Sequence, residues 1–245
     1  MRLITSTAFA LLMLGTAASA ADMSRPIPYK APPMAAAPSW TGFYLGVNAG
    51  GGFGEDKIDF GVVGAPVFAS ANNAFHGVLG GGQIGYNWQF NAFVLGAEAD
   101  FQGSSLKNTL SAPCAPAFCA PLGLTAAYSQ SIPWFGTARA RIGYAQDSWM
   151  IYATGGYAYA AVDTNATATA GPLAATFNSH DIRSGWTVGG GVEVGLAANW
   201  SVKAEYLYVD LGTAHTTWNF AGIPAVTNAS HITMNVVRAG VNYRF

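Results

Sequence analysis

The chain has 245 residues, of which only 9% are charged, against about 25% in typical soluble domains. Apolar residues make up 51% of it and the formal net charge is −1, a composition that argues against an ordinary soluble enzyme and offers no basic surface for nucleic acid. The long uncharged stretches are interrupted by Gly, Pro, Asn and Gln, whereas a membrane-spanning helix needs about 20 mostly apolar residues in a row. A membrane β-barrel remains as the class that is apolar without such helices.

The N-terminal residues predict export. A basic start precedes an apolar stretch over residues 4–15, and small residues follow it up to the predicted cleavage between Ala20 and Ala21. We therefore expect a signal peptide over residues 1–20. Residues 21–39 hold five of the twelve prolines, which favour extended backbone and cannot build a ladder, so this segment is predicted to be a periplasmic linker.

From residue 40 onward, apolar and polar side chains alternate with a period of two, which indicates strands with two different faces. A slip of one residue would turn carboxylates toward lipid, so the register is strongly specified. Eight such strands are predicted, over residues 41–53, 77–90, 93–102, 134–144, 149–162, 183–197, 200–208 and 236–245.

The connections between these strands alternate in length. Those at residues 91–92, 146–148 and 198–199 are short, and the other four span about twenty residues each. Short turns of outer-membrane barrels face the periplasm and long loops face outside, so both ends of the mature chain are expected in the periplasm. Aromatic residues beside the short turns or chain ends, Trp40 among them, recur eight to ten residues higher, which predicts two girdles about 19–25 Å apart.

These patterns predict an all-β fold, an eight-stranded antiparallel transmembrane up-and-down β-barrel over residues 40–245 in the bacterial outer membrane. A soluble, lipocalin-like barrel is the alternative. Such a barrel carries its polar residues outside, and the outward charge that it would need is missing from the strands.

The barrel assignment turns nine charged side chains toward the lumen. Opposite charges fall on neighbouring strands at similar heights, and buried charges must be paired to be tolerated. Two interpretations stay open: a polar plug that fixes strand register, and a narrow, charge-lined constriction for ions or small solutes. The nine residues are Glu98, Asp100, Arg139, Arg141, Glu193, Lys203, Glu205, Arg238 and Arg244.

Cys114 and Cys119 are the two cysteines of the chain and lie in the second long connection. An even count in an exported chain favours a disulfide between them. No further metal ligand lies in that connection, and a zinc site needs about four ligands in all, so neither a metal nor a cofactor is predicted.

Histidines and glycines offer two weaker signals. His76, His180, His215 and His231 fall at strand ends or in long connections, where they could bind haem or a metal, or remain solvated. No nucleophile stands at a convincing spacing from them, so no enzyme is predicted. Residues 80–85 satisfy G-x-G-x-x-G, but alternating strand follows instead of the helix that phosphate binding requires.

Four segments together carry a resemblance to a known family. They are residues 40–46 (WTGFYLG), 138–144 (ARARIGY), 203–208 (KAEYLY) and 237–245 (VRAGVNYRF). With the signal peptide and Pro-rich leader, they resemble the outer-membrane immunogenic proteins of alphaproteobacteria, within the wider opacity-like family of small surface antigens that are often labelled porins. The resemblance implies an eight-stranded outer-membrane barrel without enzymatic activity. Some relatives are implicated in haemin binding, a role that maps onto no residue of this chain.

The last strand also resembles the signal by which the barrel-assembly machinery recognises its clients. Its outward positions are Val237, Ala239, Val241, Tyr243 and Phe245. An alternating strand with a free edge is suited to pairing with another sheet. The expected protein is therefore a structural, antigenic surface barrel whose partners are outer-membrane lipids, the assembly machinery and, as an alternative activity, haemin or a host ligand at the loops.

Overall fold

A computed structural model describes residues 39–62, 69–113, 124–170, 173–197, 199–220 and 223–245. The predicted cleavage site at Ala20 and Ala21, the linker up to residue 38 and the predicted disulfide of Cys114 with Cys119 lie outside the described residues.

Eight long strands form the described chain, each antiparallel to the next, and the last pairs with the first to close a barrel. The predicted eight-stranded antiparallel barrel is therefore confirmed. No helix of the described segments is long and apolar enough to cross a membrane. The strands are β1 (Gly42–Val62), β2 (Ala69–Phe90), β3 (Phe93–Pro113), β4 (Leu124–Gln146), β5 (Trp149–Ala170), β6 (Leu173–Gly195), β7 (Trp200–Phe220) and β8 (Ile223–Arg244).

Each strand has 21 to 23 residues, about twice the length that is needed to cross a membrane. The prediction of four connections of about twenty residues is therefore wrong. For example, β5 and β6 continue their ladder up to the pair Ala170 and Leu173, where the sequence predicted a loop over residues 163–182. These segments are polar and rich in small residues, but neighbouring strands still satisfy their backbone hydrogen bonds.

The opposite end of the barrel, which we call the turn end, carries the short turns that the sequence predicted. β2 and β3 are joined through two residues, and β4 and β5 likewise. Asn91 and Asp147 have positive φ angles of 55° and 51°, a conformation that Asn and Asp tolerate better than other side chains.

Between the turn end and the middle of the strands, the outer face is apolar. Leu45, Ile84 and Val241 are examples of its exposed aliphatic side chains. Aromatic rings in contact across strands border this band on both sides, as in the pair Phe93 and Tyr144 near the turns and the pair Phe101 and Trp134 higher up. Such a band between two aromatic girdles is typical of the lipid-facing surface of outer-membrane barrels.

Above the upper girdle lies the extended end, where both faces change character. The outward side chains of β1 become charged there, at Glu55, Lys57 and Asp59, and all three are exposed. Inward side chains become apolar there, and they form a buried layer that begins at Phe135, next to Trp134 of the upper girdle. We call it the apolar layer; its members are Phe75, Leu79, Leu106, Ile132, Phe135, Ala158, Ala160, Val162, Leu207, Val209, Leu211, Ile232, Met234 and Val236.

Two of the eight seams between strands end at this level. The β2–β3 ladder stops at the pair His76 and Lys107, and the β6–β7 ladder stops at the pair Trp186 and Asp210. Among the described residues, no further pairs join these neighbours, although all four strands continue. The extended end therefore consists of two four-stranded sheets, β7-β8-β1-β2 and β3-β4-β5-β6. A bulge after Asp210, with Gly212 at a φ of 68°, bends β7 at the point of separation.

Candidate functional site

The lumen of the membrane-level barrel holds eight charged residues that we call the charge cluster. Antiparallel register places Glu98 opposite Arg139 and Glu205 opposite Arg238, as the alternation predicted. The cluster contains four carboxylates and four cations, so its formal charges cancel. Its members, all at most 5% exposed, are Glu98, Asp100, Arg139, Arg141, Glu193, Lys203, Glu205 and Arg238.

Arg139 is the centre of the cluster. Its Nη2 donates to Asp100 Oδ2 at 3.0 Å and its Nη1 donates to Glu205 Oε1 at 3.1 Å, and it also contacts Glu98. Arg238 reaches two of the same carboxylates, with 2.6 Å between its Nη2 and Glu205 Oε2 and 2.9 Å to Asp100 Oδ2. Each carboxylate in this part of the lumen is thus shared between cations from different strands.

Two further ion pairs join strands that are not neighbours. Glu193 and Lys203 are ladder neighbours, as expected, but they do not bind each other. Lys203 Nζ instead donates to both oxygens of Glu98 at 2.9 Å, and Arg141 Nη2 donates to Glu193 Oε2 at 2.8 Å. Side chains that point into an eight-stranded barrel meet at its axis, so pairing follows the cross-section rather than the ladder.

Two buried tyrosines, which the sequence did not reveal, complete the cluster. Tyr44 donates to Glu98 Oε2 at 2.7 Å, and Tyr152 donates to Glu205 Oε1 at 3.0 Å. Glycines make room for both: a Cβ at Gly85 would overlap the Tyr44 ring, and one at Gly191 would overlap that of Tyr152. Two glycines of the barrel wall therefore leave the space that the two tyrosine rings occupy. This pairing of glycine with tyrosine follows from the strand register and could not be predicted from the sequence.

Arg244 was expected in the same network, but the structure places it nearer the turn end. Its guanidinium lies 5.0 Å from the ring centroid of Trp40, and it makes no ion pair within the described part of the chain. Trp40, expected in the lower girdle, is instead 1% exposed and lies inside the barrel mouth with Val94 and Met150. Its backbone N–H donates to Gln89 Oε1 at 2.7 Å, which holds the start of the barrel against β2.

From the turn end up to the start of the extended end, the lumen is therefore filled in three layers: the Trp40 group, the charge cluster and the apolar layer. Moving each of these ions out of water costs several kcal/mol, and the ion pairs and hydrogen bonds of the cluster offset that cost. Removing one partner would leave an uncompensated charge in the lumen. The arrangement is chemically suited to holding strands in register, and its carboxylates are all engaged with cations.

The four histidines lie on the outer surface of the extended end. His180 contacts Asp163 on the neighbouring strand, and His231 Nδ1 lies 2.9 Å from Thr213 Oγ1. His76 and His215 are also exposed. Over the described ranges, no group of three His, Cys, Asp or Glu side chains is arranged to hold a metal ion.

Comparisons with known proteins agree with this architecture. Residues 7–245 match the family described as "Outer membrane protein beta-barrel domain". The chain is 39% identical over 241 residues to the 31 kDa outer-membrane immunogenic protein of Brucella melitensis, covering 95% of each chain. It is 32% identical over 186 residues to the 22 kDa outer membrane protein of Rhizobium leguminosarum bv. viciae, covering 73% of this chain and 67% of that one.

Among solved structures, the outer membrane protease OmpT from Escherichia coli superposes with a TM-score of 0.53. The match covers 84% of this chain and 98% of that one at 12% identity, a level that reports on the fold alone. Together with the closed barrel, its apolar outer band and the sequence relatives, the matched residues assign the chain to the outer membrane protein β-barrel domain family, as a bacterial outer-membrane β-barrel.

Proposed function

We propose that this protein is a non-enzymatic, non-conducting surface barrel of the outer membrane that presents its extended end to the outside as an antigenic structure. The observation that carries the proposal is the filled lumen. Charged, hydrogen-bonded side chains occupy it at membrane level, and apolar side chains occupy it immediately above. An eight-stranded barrel is just wide enough for side chains to fill, so these layers leave no water-filled path of ordinary porin width.

The names of the relatives support the antigenic part of the proposal, since the Brucella protein is called an outer-membrane immunogenic protein. The short turns support the orientation, because such turns face the periplasm in barrels of this kind. A peptide tag inserted between Ala170 and Leu173 should bind antibody on intact cells. A tag inserted at Asp147 should bind it after permeabilisation alone, and the reverse pattern would contradict the orientation.

Conductance tests the non-conducting part. Mature protein, residues 21–245, is refolded and added to a planar bilayer, with heat-modifiable gel migration as the check on folding. We expect no open-channel steps. Reproducible steps whose ion selectivity changes in Arg139→Gln, but not in Lys57→Gln on the exposed outer face, would establish the narrow charge-lined porin instead.

The last strand supports a further part of the proposal, recognition by the barrel-assembly machinery. Val237, Val241 and Phe245 are exposed on the outer face of β8, and Phe245 N–H donates to Phe43 O at 2.9 Å across the β1–β8 seam. Deleting Phe245 should lower the amount of folded protein in the outer membrane. An unchanged folded band in the deletion strain would contradict this role.

A further inference from the structure

Six polar side chains face the lumen of the extended end, beyond the upper aromatic girdle. We call them the upper polar layer: Asp56, Asn73, Asn108, Gln130, Arg183 and Ser230. All but Arg183 are at most 8% exposed. The register places Asp56 opposite Asn73 and Asn108 opposite Gln130, so these four form two neighbouring pairs on β1–β2 and β3–β4.

Several atoms of this layer are buried without a hydrogen-bond partner. Asp56 Oδ1 accepts from Ser230 Oγ at 2.7 Å, but Asp56 Oδ2 has no partner. The side-chain amide nitrogens of Asn73, Asn108 and Gln130 also lack one. Buried polar groups in folded proteins are almost always bonded, and each unbonded group is costly. Gln130 lies near enough to Asp56 to lower its pKa. The unbonded amides of Asn73 and Asn108 and the second oxygen of Asp56 are therefore the groups that indicate a polar molecule between these strands.

The layer lies across the boundary between the two sheets of the extended end. Asp56, Asn73 and Ser230 are on β7-β8-β1-β2, whereas Asn108, Gln130 and Arg183 are on β3-β4-β5-β6. Arg183 Nη1 crosses this boundary and donates to Ser230 Oγ at 3.0 Å. No ladder pairs join the described residues across either seam at this height. The sheets can therefore separate without breaking a backbone ladder, which opens the buried layer to a ligand.

The charges and hydrogen-bonding groups define the ligand chemistry. An anion would face the Asp56 carboxylate, and a cation would face the Arg183 guanidinium. Amide N–H groups need acceptors, and the free carboxylate oxygen needs a donor. Sugar hydroxyls supply both from a single group and carry no charge. Phe75, buried directly below the layer on β2, adds an apolar surface that suits the C–H face of a sugar ring.

We propose that the cleft between the two sheets at the extended end is a binding site for neutral oligosaccharide, with the upper polar layer supplying its hydrogen bonds. This inference is independent of whether the barrel conducts. Two sources share the chemistry: free glycan and the glycan of the membrane's own lipids.

Asn73 and Asn72 provide a matched pair of variants. They are adjacent on β2, but Asn73 faces the lumen whereas Asn72 is exposed on the outer face. Refolded protein in nanodiscs would be titrated by calorimetry with two neutral saccharides, maltohexaose and chitotetraose. We expect saturable binding of at least one probe, weakened tenfold or more in Asn73→Leu and unchanged in Asn72→Leu, with both variants showing the heat-modifiable folded band.

The two sources are separated by repeating the titration in nanodiscs that contain intact lipopolysaccharide. Loss of the response there shows that membrane glycan already occupies the cleft, whereas an unchanged response shows that the site takes free glycan. No response to any probe in nanodiscs without lipopolysaccharide, or equal weakening in both Asn variants, would overturn the proposal. Buried water would then be the partner of the polar groups in this layer.

The opening of the seam is tested by closing it. If the β2–β3 ladder continued past His76 and Lys107, Ala74 would face Thr109, and both positions are exposed. The double variant Ala74→Cys, Thr109→Cys should bind saccharide when reduced and lose at least tenfold in affinity when oxidised. Wild-type protein, titrated with and without reductant, controls for Cys114 and Cys119. Equal binding in the oxidised and reduced variant would exclude access through the β2–β3 seam.

Discussion

The membrane-level barrel and the extended end are built from the same eight strands, yet their faces have opposite polarity. On β8, Val237 faces outward at membrane level and Arg238 faces the lumen, whereas higher on the same strand Thr233 faces outward and Met234 is buried inside. The alternation of the strand is unchanged along this path. What changes is the solvent, because lipid requires apolar side chains outside and water requires polar ones.

The difference has a structural consequence for the lumen. At membrane level the inward side chains are charged and hold one another by directed bonds, and all eight seams are closed. At the extended end the inward side chains are first apolar and then polar, and two seams lack ladder pairs within the described strands. The first region is held together by ladders and ion pairs on all sides, whereas no ladder pairs join the two sheets of the second among the described residues. Four variants test this difference between the two regions.

Arg139→Met should have the largest effect. Arg139 contacts Glu98, Asp100 and Glu205, and its loss leaves those carboxylates short of a partner in a buried lumen. We expect the free energy of unfolding to fall by about 3–5 kcal/mol, measured by urea titration in lipid vesicles. Lys57→Met, which removes an exposed charge at the extended end, should change it by less than about 0.5 kcal/mol. Similar losses in the two variants would remove the distinction between the regions.

Val237→Arg tests the inversion of polarity on the outer face. Val237 is 54% exposed toward the upper edge of the lipid-facing band, where the cost of a cation lies between about 0–1 kcal/mol at the interface and about 2–4 kcal/mol at the bilayer midplane. Thr233→Arg changes the same face of the same strand above the girdle and should cost less than about 0.5 kcal/mol. The same unfolding assay compares them. A cost at Thr233 as large as that at Val237 would show that lipid reaches the extended end.

Gly85→Ala tests the fit of Tyr44 into the wall of the barrel. A methyl group at Gly85 would displace the Tyr44 ring and weaken its hydrogen bond to Glu98, at an expected cost of about 1–3 kcal/mol. Gly82 lies on the outer face of the same strand, where a Cβ would have its nearest contact at 3.7 Å. Gly82→Ala should therefore leave stability nearly unchanged. Equal stability of the two variants would mean that Tyr44 moves without cost.

Asp56→Asn should have the smallest effect, and its sign depends on pH. Burial raises the pKa of Asp56 against the lowering influence of Ser230 and Arg183. The pKa of this carboxyl is higher in the folded than in the unfolded chain. Its contribution to the free energy of unfolding is therefore lost as pH rises from about 4 through its folded-state pKa. The variant should match wild type in stability near pH 3 and be the more stable of the two at pH 7. A variant less stable than wild type at pH 7 would contradict the raised pKa.

The charge cluster shows how far the sequence could predict the site. Alternation assigned Glu98, Arg139 and Glu205 to the lumen because a period of two fixes the face of every residue in a strand. The residue that each charged side chain binds was harder to predict. Lys203 binds Glu98 across the lumen rather than its neighbour Glu193, and Tyr44 joins through the space beside Gly85. Both depend on positions in the cross-section, which residue spacing along the chain does not contain.

The extended end shows where the sequence prediction was wrong and why. Its outward residues are polar and its inward ones are apolar, the reverse of the pattern that defined the membrane strands, so the segments resembled loops. In β4 the register also shifts between Ser131 and Phe135, which carries the inward face from odd to even positions. A prediction that allowed either polarity, and one change of face at a bulge, would have found these strands.

The number of membrane strands, the direction of each side chain within them and the class of membrane could be predicted from the sequence. The reason is that lipid requires an apolar side chain at every second position of each strand. The tertiary structure alone decided which charges bind each other, that Trp40 fills the turn end, and that the extended strands divide into two sheets. These features depend on the distances between strands that are far apart in the chain, and closure of the barrel sets those distances.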